Sequence, residues 1–210
     1  MLLAAAAIAA VGVTHLIDFG VYDLRYRIFN ANSAGSWSHV MVTGMLVIGA
    51  AICVVGARRQ TAQRAAWVTT AVALTPVFLI GAAPRVHAEI DALSHGRLLY
   101  APLLAIVVYC VWRLTRGSDY FAVVRAGAGL LLASYVIHVL EPHNIAEALG
   151  WTVGGWGFQV VVVLKEGLEL AGILLALLAL WGTATAPDRT PHEAAGGAPS
   201  APQVHARERR

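Results

Sequence analysis

Charge is scarce in this chain. Asp, Glu, Lys and Arg make up 13% of its 210 residues while hydrophobic residues make up 58%, and the mean hydropathy is +0.67. A soluble globular domain ordinarily carries about a quarter of its residues charged, so this balance excludes one and points to an integral membrane protein. Lysine is scarcer still. Lys165 is the only one, and the other 14 cationic side chains are all arginine. With only two cysteines, Cys53 and Cys110, both inside apolar runs, there is no disulfide framework and no cysteine spacing for a metal. They read as packing residues. There is no His-Glu-x-x-His signature and no motif around any serine that would mark a nucleophile.

Six apolar runs of membrane-spanning length are present, over residues 2–21, 37–57, 65–83, 98–114, 121–140 and 156–181. The first begins without a basic segment and is followed by polar Asp23, Arg25 and Arg27, so it is expected to stay as a helix. The arginines set the orientation. Arg58, Arg59, Arg64, Arg113, Arg116, Arg125, Arg189, Arg207, Arg209 and Arg210 fall on one side, against Arg25, Arg27, Arg85 and Arg97 on the other. Both termini are therefore placed in the cytoplasm. Tryptophans agree, with Trp37, Trp151 and Trp156 at the outer interface and Trp67, Trp112 and Trp181 at the inner one. The net charge of +3 follows from this topology and implies no nucleic-acid partner.

The expected fold is all-α, a polytopic bundle of six transmembrane helices over 1–182, with a tail over 183–210. That tail is rich in Pro, Gly and Ala and poor in large apolar residues, which predicts disorder. The outer connections are the richer ones. The last contains Ile145 to Trp151, a candidate short interfacial helix, with Gly155 and Gly157 placed for a tight turn into the final span. Pro76 and Pro102 are candidate kinks, while Gly167, Ala171 and Gly172 permit close helix approach.

Within the last run lie Lys165, Glu166 and Glu169, the one cluster of full charges at mid-segment. On a helix Lys165 and Glu169 lie about 40° apart and Glu166 within roughly 100° of both, so one face is expected to carry all three. Each ionisable group at bilayer depth costs roughly 2.5 to 3.5 kcal/mol, which makes the cluster a functional-site candidate unless it is a buried structural pair. Glu166 sits about ten residues into the run, a depth of roughly 15 Å and near the bilayer midplane.

All six histidines before the tail fall on the outer side, namely His15, His39, His87, His95, His138 and His143. Carboxylates accompany them, with Asp18 three residues after His15, Glu141 three after His138, and Glu89 and Asp91 just after His87. Ser36, Ser38, Thr43 and Ser134 would add hydrogen-bond donors. Neutral imidazoles with carboxylates suit a transition metal ion, for which His15, His39, His87, His138 and Glu141 are the candidate ligands. Lys165, Glu166, Glu169 and Asp18 are the candidates for a ligand site or a proton pathway. The plain alternative is a packing subunit of a membrane complex, in which Lys165 pairs with Glu169 or Asp18 only to fix helix packing.

Asn30, Asn32, Gly35, Trp37 and Ser38 lead into the second run, a His and acidic element follows the third, a glutamate ends the fifth, and Lys165-Glu166-x-x-Glu169-x-x-Gly172 closes the last. In this order the chain resembles a group of uncharacterised bacterial polytopic membrane proteins whose members carry an Asp-Glu-x-x-x-x-His-Glu element and a closing Glu-Glu-x-x-Glu-x-x-Gly helix. Ala83 and Pro84 stand where the Asp-Glu pair would be, and Lys165 replaces the first closing glutamate. The missing acid pair and a cation in place of a third acid imply a weakened metal function, and the resemblance supplies no activity. The combined expectation is a cytoplasmic-membrane protein whose outer half holds one polar cavity for a metal ion or small polar ligand, with proton-coupled transport as the alternative. Its expected partners are the bilayer and, in addition, a second copy or a membrane complex.

Overall fold

The computed structural model describes residues 2–26, 28–30, 36–83, 89, 98 and 100–186, and among them every regular element is helical. The α-helices are α1 (Leu2–Tyr22), α2 (Trp37–Arg59), α3 (Arg64–Ala82), α4 (Tyr100–Thr115), α5 (Phe121–Leu140), α6 (Pro142–Ala148) and α7 (Trp156–Thr185), with a 3₁₀ turn at Thr61–Gln63. Three helical stretches, Trp37–Arg59, Thr61–Ile80 and Phe121–Leu140, are long and apolar enough to cross a membrane. Ile8–Tyr22 and Tyr100–Thr115 are shorter apolar helices. At 30 residues α7 is the longest helix, about 45 Å at 1.5 Å per residue, and Lys165, Glu166 and Glu169 interrupt its apolar sequence.

Hydrophobic side chains point outward as well as inward. Val13, Ile17 and Val21 form an exposed stripe on α1 at a spacing of four, and Val160 and Leu164 do so on α7. A helix that is apolar all round is stable only where its outer face is also covered by an apolar medium.

Helix α7 is the hub, packed against α1, α2, α4, α5 and α6. Its approach to α5 is set by glycine: a Cβ on Gly172 would lie 2.6 Å from Leu131 Cγ and 2.9 Å from the carbonyl oxygen of Gly127. Near the α7 C-terminus the core is dense, with Trp67, Cys53, Leu114 and Leu180 buried together. Cys53 and Cys110 are both buried free thiols, in keeping with a packing role. Gln60 ties this end together, since its Oε1 accepts from Trp67 Nε1 at 3.1 Å and its Nε2 donates to the carbonyl of Thr183.

That bond bears on the expected tail boundary. The last helix runs through Thr185, with Thr183 and Ala184 buried, so the segment expected to be unstructured from 183 begins as ordered helix. Residues 187–210 lie outside the described residues. The last outer connection does hold a short helix, but it starts at Pro142, where the missing N–H costs nothing in a first turn. Gly155 closes the tight turn into the last helix, its N–H donating to the Thr152 carbonyl at 2.9 Å, while left-handed backbone in this connection falls at Gly150 (φ 73°) and Gly154 (φ 80°). Gly157 instead makes room for the Trp151 ring, 2.5 Å from where its Cβ would be.

Candidate functional site

Toward the other end of the bundle a second core cluster joins Val11 of α1 to Val162 and Leu170 of α7. A cavity of about 230 Å³ lies there between α2, α3, α4, α5 and α7. His39, Ile80, Tyr100 and His138 come from the helix ends nearest the α1–α2, α3–α4 and α5–α6 connections, while Leu46, Val107, Leu131 and Ile173 line it deeper in. Lys165 and Glu169, one turn apart on α7, share one wall with Thr43, Ser134 and Tyr135 also lining the space. Six of the residues expected at a site therefore meet in one place: His39, Thr43, Ser134, His138, Lys165 and Glu169.

The charged triplet does not stay on one face. Lys165 Nζ donates to Glu166 Oε1 at 2.9 Å, yet Glu166 is 4% exposed and absent from the cavity wall. At 100° per residue Glu166 turns away from the line through 165 and 169, and the long lysine side chain reaches across to it. Lys165 was expected to pair with Glu169 or Asp18, and this neighbour pair was not foreseen. Ser134 holds the same point of α7 from α5, donating its hydroxyl to the carbonyl of Lys165 at 2.9 Å.

His15 and Asp18 belong to a different place, the α1–α7 contact. His15 is fully buried with its Nε2 2.8 Å from Gln159 Oε1. Asp18 is 1% exposed; its Oδ1 accepts from the Tyr26 N–H at 3.2 Å, and its carbonyl accepts from the Leu24 N–H at 3.0 Å. These bonds hold Asp23 (φ 52°) and Leu24 (φ 56°) in the left-handed region, which non-glycine residues rarely occupy. Asp18 Oδ2 is buried with no hydrogen-bond partner among the described residues.

Glu141 departs from the expected site too. It leaves α5 with φ 64° and its Oε2 lies 2.9 Å from His143 Nε2 on α6. His39 Nδ1 lies 3.1 Å from Ser36 Oγ, which in turn lies 2.8 Å from Ser38 Oγ. The His138 ring is tilted 59° against Tyr100 at 5.8 Å. His87, His95 and Asp91 lie outside the described residues, and Glu89 is exposed. Among the described residues no three His, Cys, Asp or Glu side chains come together as a metal site would require. The one outer cavity expected for all the polar groups is thus divided between the α2–α5/α7 cavity, the buried α1–α7 contact and the α5–α6 corner.

Tyr100, Tyr135 and Gln159 were not foreseen as site residues. Tyr135 stands three residues before His138 on the same helix face, and Gln159 is a lone amide in an apolar run, so both left a readable signal. No protein-family model, curated protein or solved structure matches the chain.

Proposed function

We propose that this is a multi-pass protein of the cytoplasmic membrane, six helices across with both termini inside, and that its outer-half cavity binds a small polar-headed molecule. The observation that carries the reading is the placement of Lys165 and Glu169, charges in the middle of α7, on the wall of a cavity rimmed by His39 and His138. Ionisable groups at that depth are rare unless they meet a partner, a cavity or a ligand. Arginine distribution and tryptophan placement support the orientation. The exposed apolar stripes on α1 and α7 support a lipid-facing surface for helices beyond the three that qualify by length and composition. The partners in this reading are lipid and a second copy or a membrane complex, and kinship with the group sharing the closing helix motif belongs to it as well.

The residues favour an organic ligand over a metal ion, because the imidazoles and carboxylates among the described residues are dispersed across three locations. Proton-coupled transport is the second reading, and the observation in its favour is Asp18, a buried carboxylate with one oxygen that has no hydrogen-bond partner among the described residues. Cysteine accessibility tests the main reading. In a chain with Cys53→Ala and Cys110→Ala, a Thr43→Cys variant should react on intact cells with a membrane-impermeant, cationic methanethiosulfonate. A Val47→Cys variant, placed on the exposed apolar face of α2, should not. An unreactive Thr43→Cys would mean that the cavity is closed to the outside, and the proposal would fall.

A further inference from the structure

Resting on that cavity reading, we infer that the ligand is an organic cation: a small ammonium compound with an apolar or aromatic body. The charge balance of the wall points there first. Lys165 Nζ is held 2.9 Å from Glu166 Oε1, so the only lysine forms a neutral pair with a carboxylate outside the cavity. Glu169 remains on the wall, and the three groups together carry a formal charge of −1 when ionised. An anionic ligand would have to displace Glu166 from the ammonium while facing the Glu169 carboxylate one turn away. A cation meets that carboxylate directly.

Aromatic faces point the same way. Tyr100 and Tyr135 line the space, with the His138 ring against Tyr100, and π faces attract ammonium groups most strongly where water is scarce. The rest of the lining, including Leu103, Leu104, Val107 and Ile173, is aliphatic and would desolvate the body of the ligand. Size then limits the class. An apolar cavity of about 150 Å³ holds benzene, so about 230 Å³ accommodates roughly nine non-hydrogen atoms by proportion, and a slightly larger molecule can extend into the open mouth. One carboxylate on the wall suits a single positive charge better than the several of a polyamine.

The test uses the full chain purified in detergent and three probes of nearly equal size: benzyltrimethylammonium, phenylacetamide and phenylacetate, titrated by calorimetry at neutral pH. The cation should bind saturably, with the neutral and anionic probes at least tenfold weaker. Glu169→Gln should weaken the cation at least tenfold, whereas Glu169→Asp, which keeps the charge, should stay within a few-fold of the parent. Tyr135→Leu should weaken it several-fold and Tyr135→Phe should leave it nearly unchanged. Preference for phenylacetate or phenylacetamide, or a cation affinity indifferent to Glu169→Gln, would overturn the cation assignment and leave the cavity reading standing. If no probe binds, the cation assignment is also lost, and reactivity of Thr43→Cys then decides whether the cavity reading falls with it.

Discussion

Ser134 on α5 donates its hydroxyl to the backbone carbonyl of Lys165 on α7 at 2.9 Å. That carbonyl belongs to the residue whose ammonium is bonded to Glu166, so one position of α7 is held from a neighbouring helix and from its own following residue. Two turns on, Gly172 meets Gly127 backbone to backbone. The wall carrying Lys165 and Glu169 is therefore fixed by the α5–α7 contact, which is the kind of support a pre-formed ligand site needs.

The first prediction concerns the ion pair. Lys165 and Glu166 are 16% and 4% exposed, so removing the cation leaves a buried carboxylate without its partner. Lys165→Met should lower stability by about 3 to 5 kcal/mol, the usual cost of breaking a buried pair. Adding Glu166→Gln should restore much of the loss, and adding Glu169→Gln should restore little. Denaturant or thermal unfolding in detergent reads all three variants. Rescue by Glu169→Gln instead would mean that the pairing in solution follows the helix spacing and not the neighbour contact.

A second prediction separates two glycines two residues apart. Gly127 faces Gly172 and Leu175, whereas nothing lies within 4 Å of a Cβ on Gly129. Gly127→Ala should force α5 and α7 apart and cost about 1 to 3 kcal/mol, as overpacking does. Gly129→Ala should be neutral or stabilising by up to about 1 kcal/mol through helix propensity. Equal effects of the two would show that α5 and α7 are not in this close register.

Much of this was legible before any coordinates. Apolar runs of spanning length gave the helices, because a segment surrounded by lipid is apolar on every face and needs no periodicity to be seen. The same uniformity hid which way each helix turns: Lys165, Glu166 and Glu169 were expected on a shared face, whereas the 100° step turns Glu166 off the wall that carries Lys165 and Glu169. Spacing put Asp18 three residues after His15, but it cannot say that both lie at the α1–α7 contact, away from the cavity wall. Gly154 and Gly157 illustrate a finer limit, since glycine type marks a need for space or for left-handed backbone without telling which.

Asp18 supplies the third prediction. Its Oδ1 bonds the Tyr26 N–H and its Oδ2 has no partner among the described residues. As a purely structural anchor it needs one acceptor oxygen, which asparagine keeps. Asp18→Asn should then change stability by no more than about 1 kcal/mol, while Asp18→Ala, which leaves the Tyr26 N–H unmatched, should cost about 1 to 3 kcal/mol. If Asp18 carries a proton during transport, Asp18→Asn should fold normally and still abolish proton-coupled uptake of benzyltrimethylammonium into proteoliposomes. Normal uptake by Asp18→Asn would remove Asp18 from any proton pathway.

The last prediction fixes the side from which the cavity is reached. Ten arginines fall at the connections and tail assigned to the cytoplasm and four at the others, and such a bias orients multi-pass proteins through the short loops near span ends. The cavity rim, at His39, Tyr100 and His138, lies at the arginine-poor end. In the chain lacking both native cysteines, Asn144→Cys on α6 should therefore be labelled by an impermeant maleimide on intact cells. Gln63→Cys and Ser118→Cys, in the arginine-rich connections, should be labelled only after the membrane is permeabilised. The reverse pattern would open the cavity to the cytoplasm, and external reagent should then leave Thr43→Cys untouched. Both measurements must agree, since a helix bundle presents one end to each side and the rim cannot be outside while Asn144 is inside.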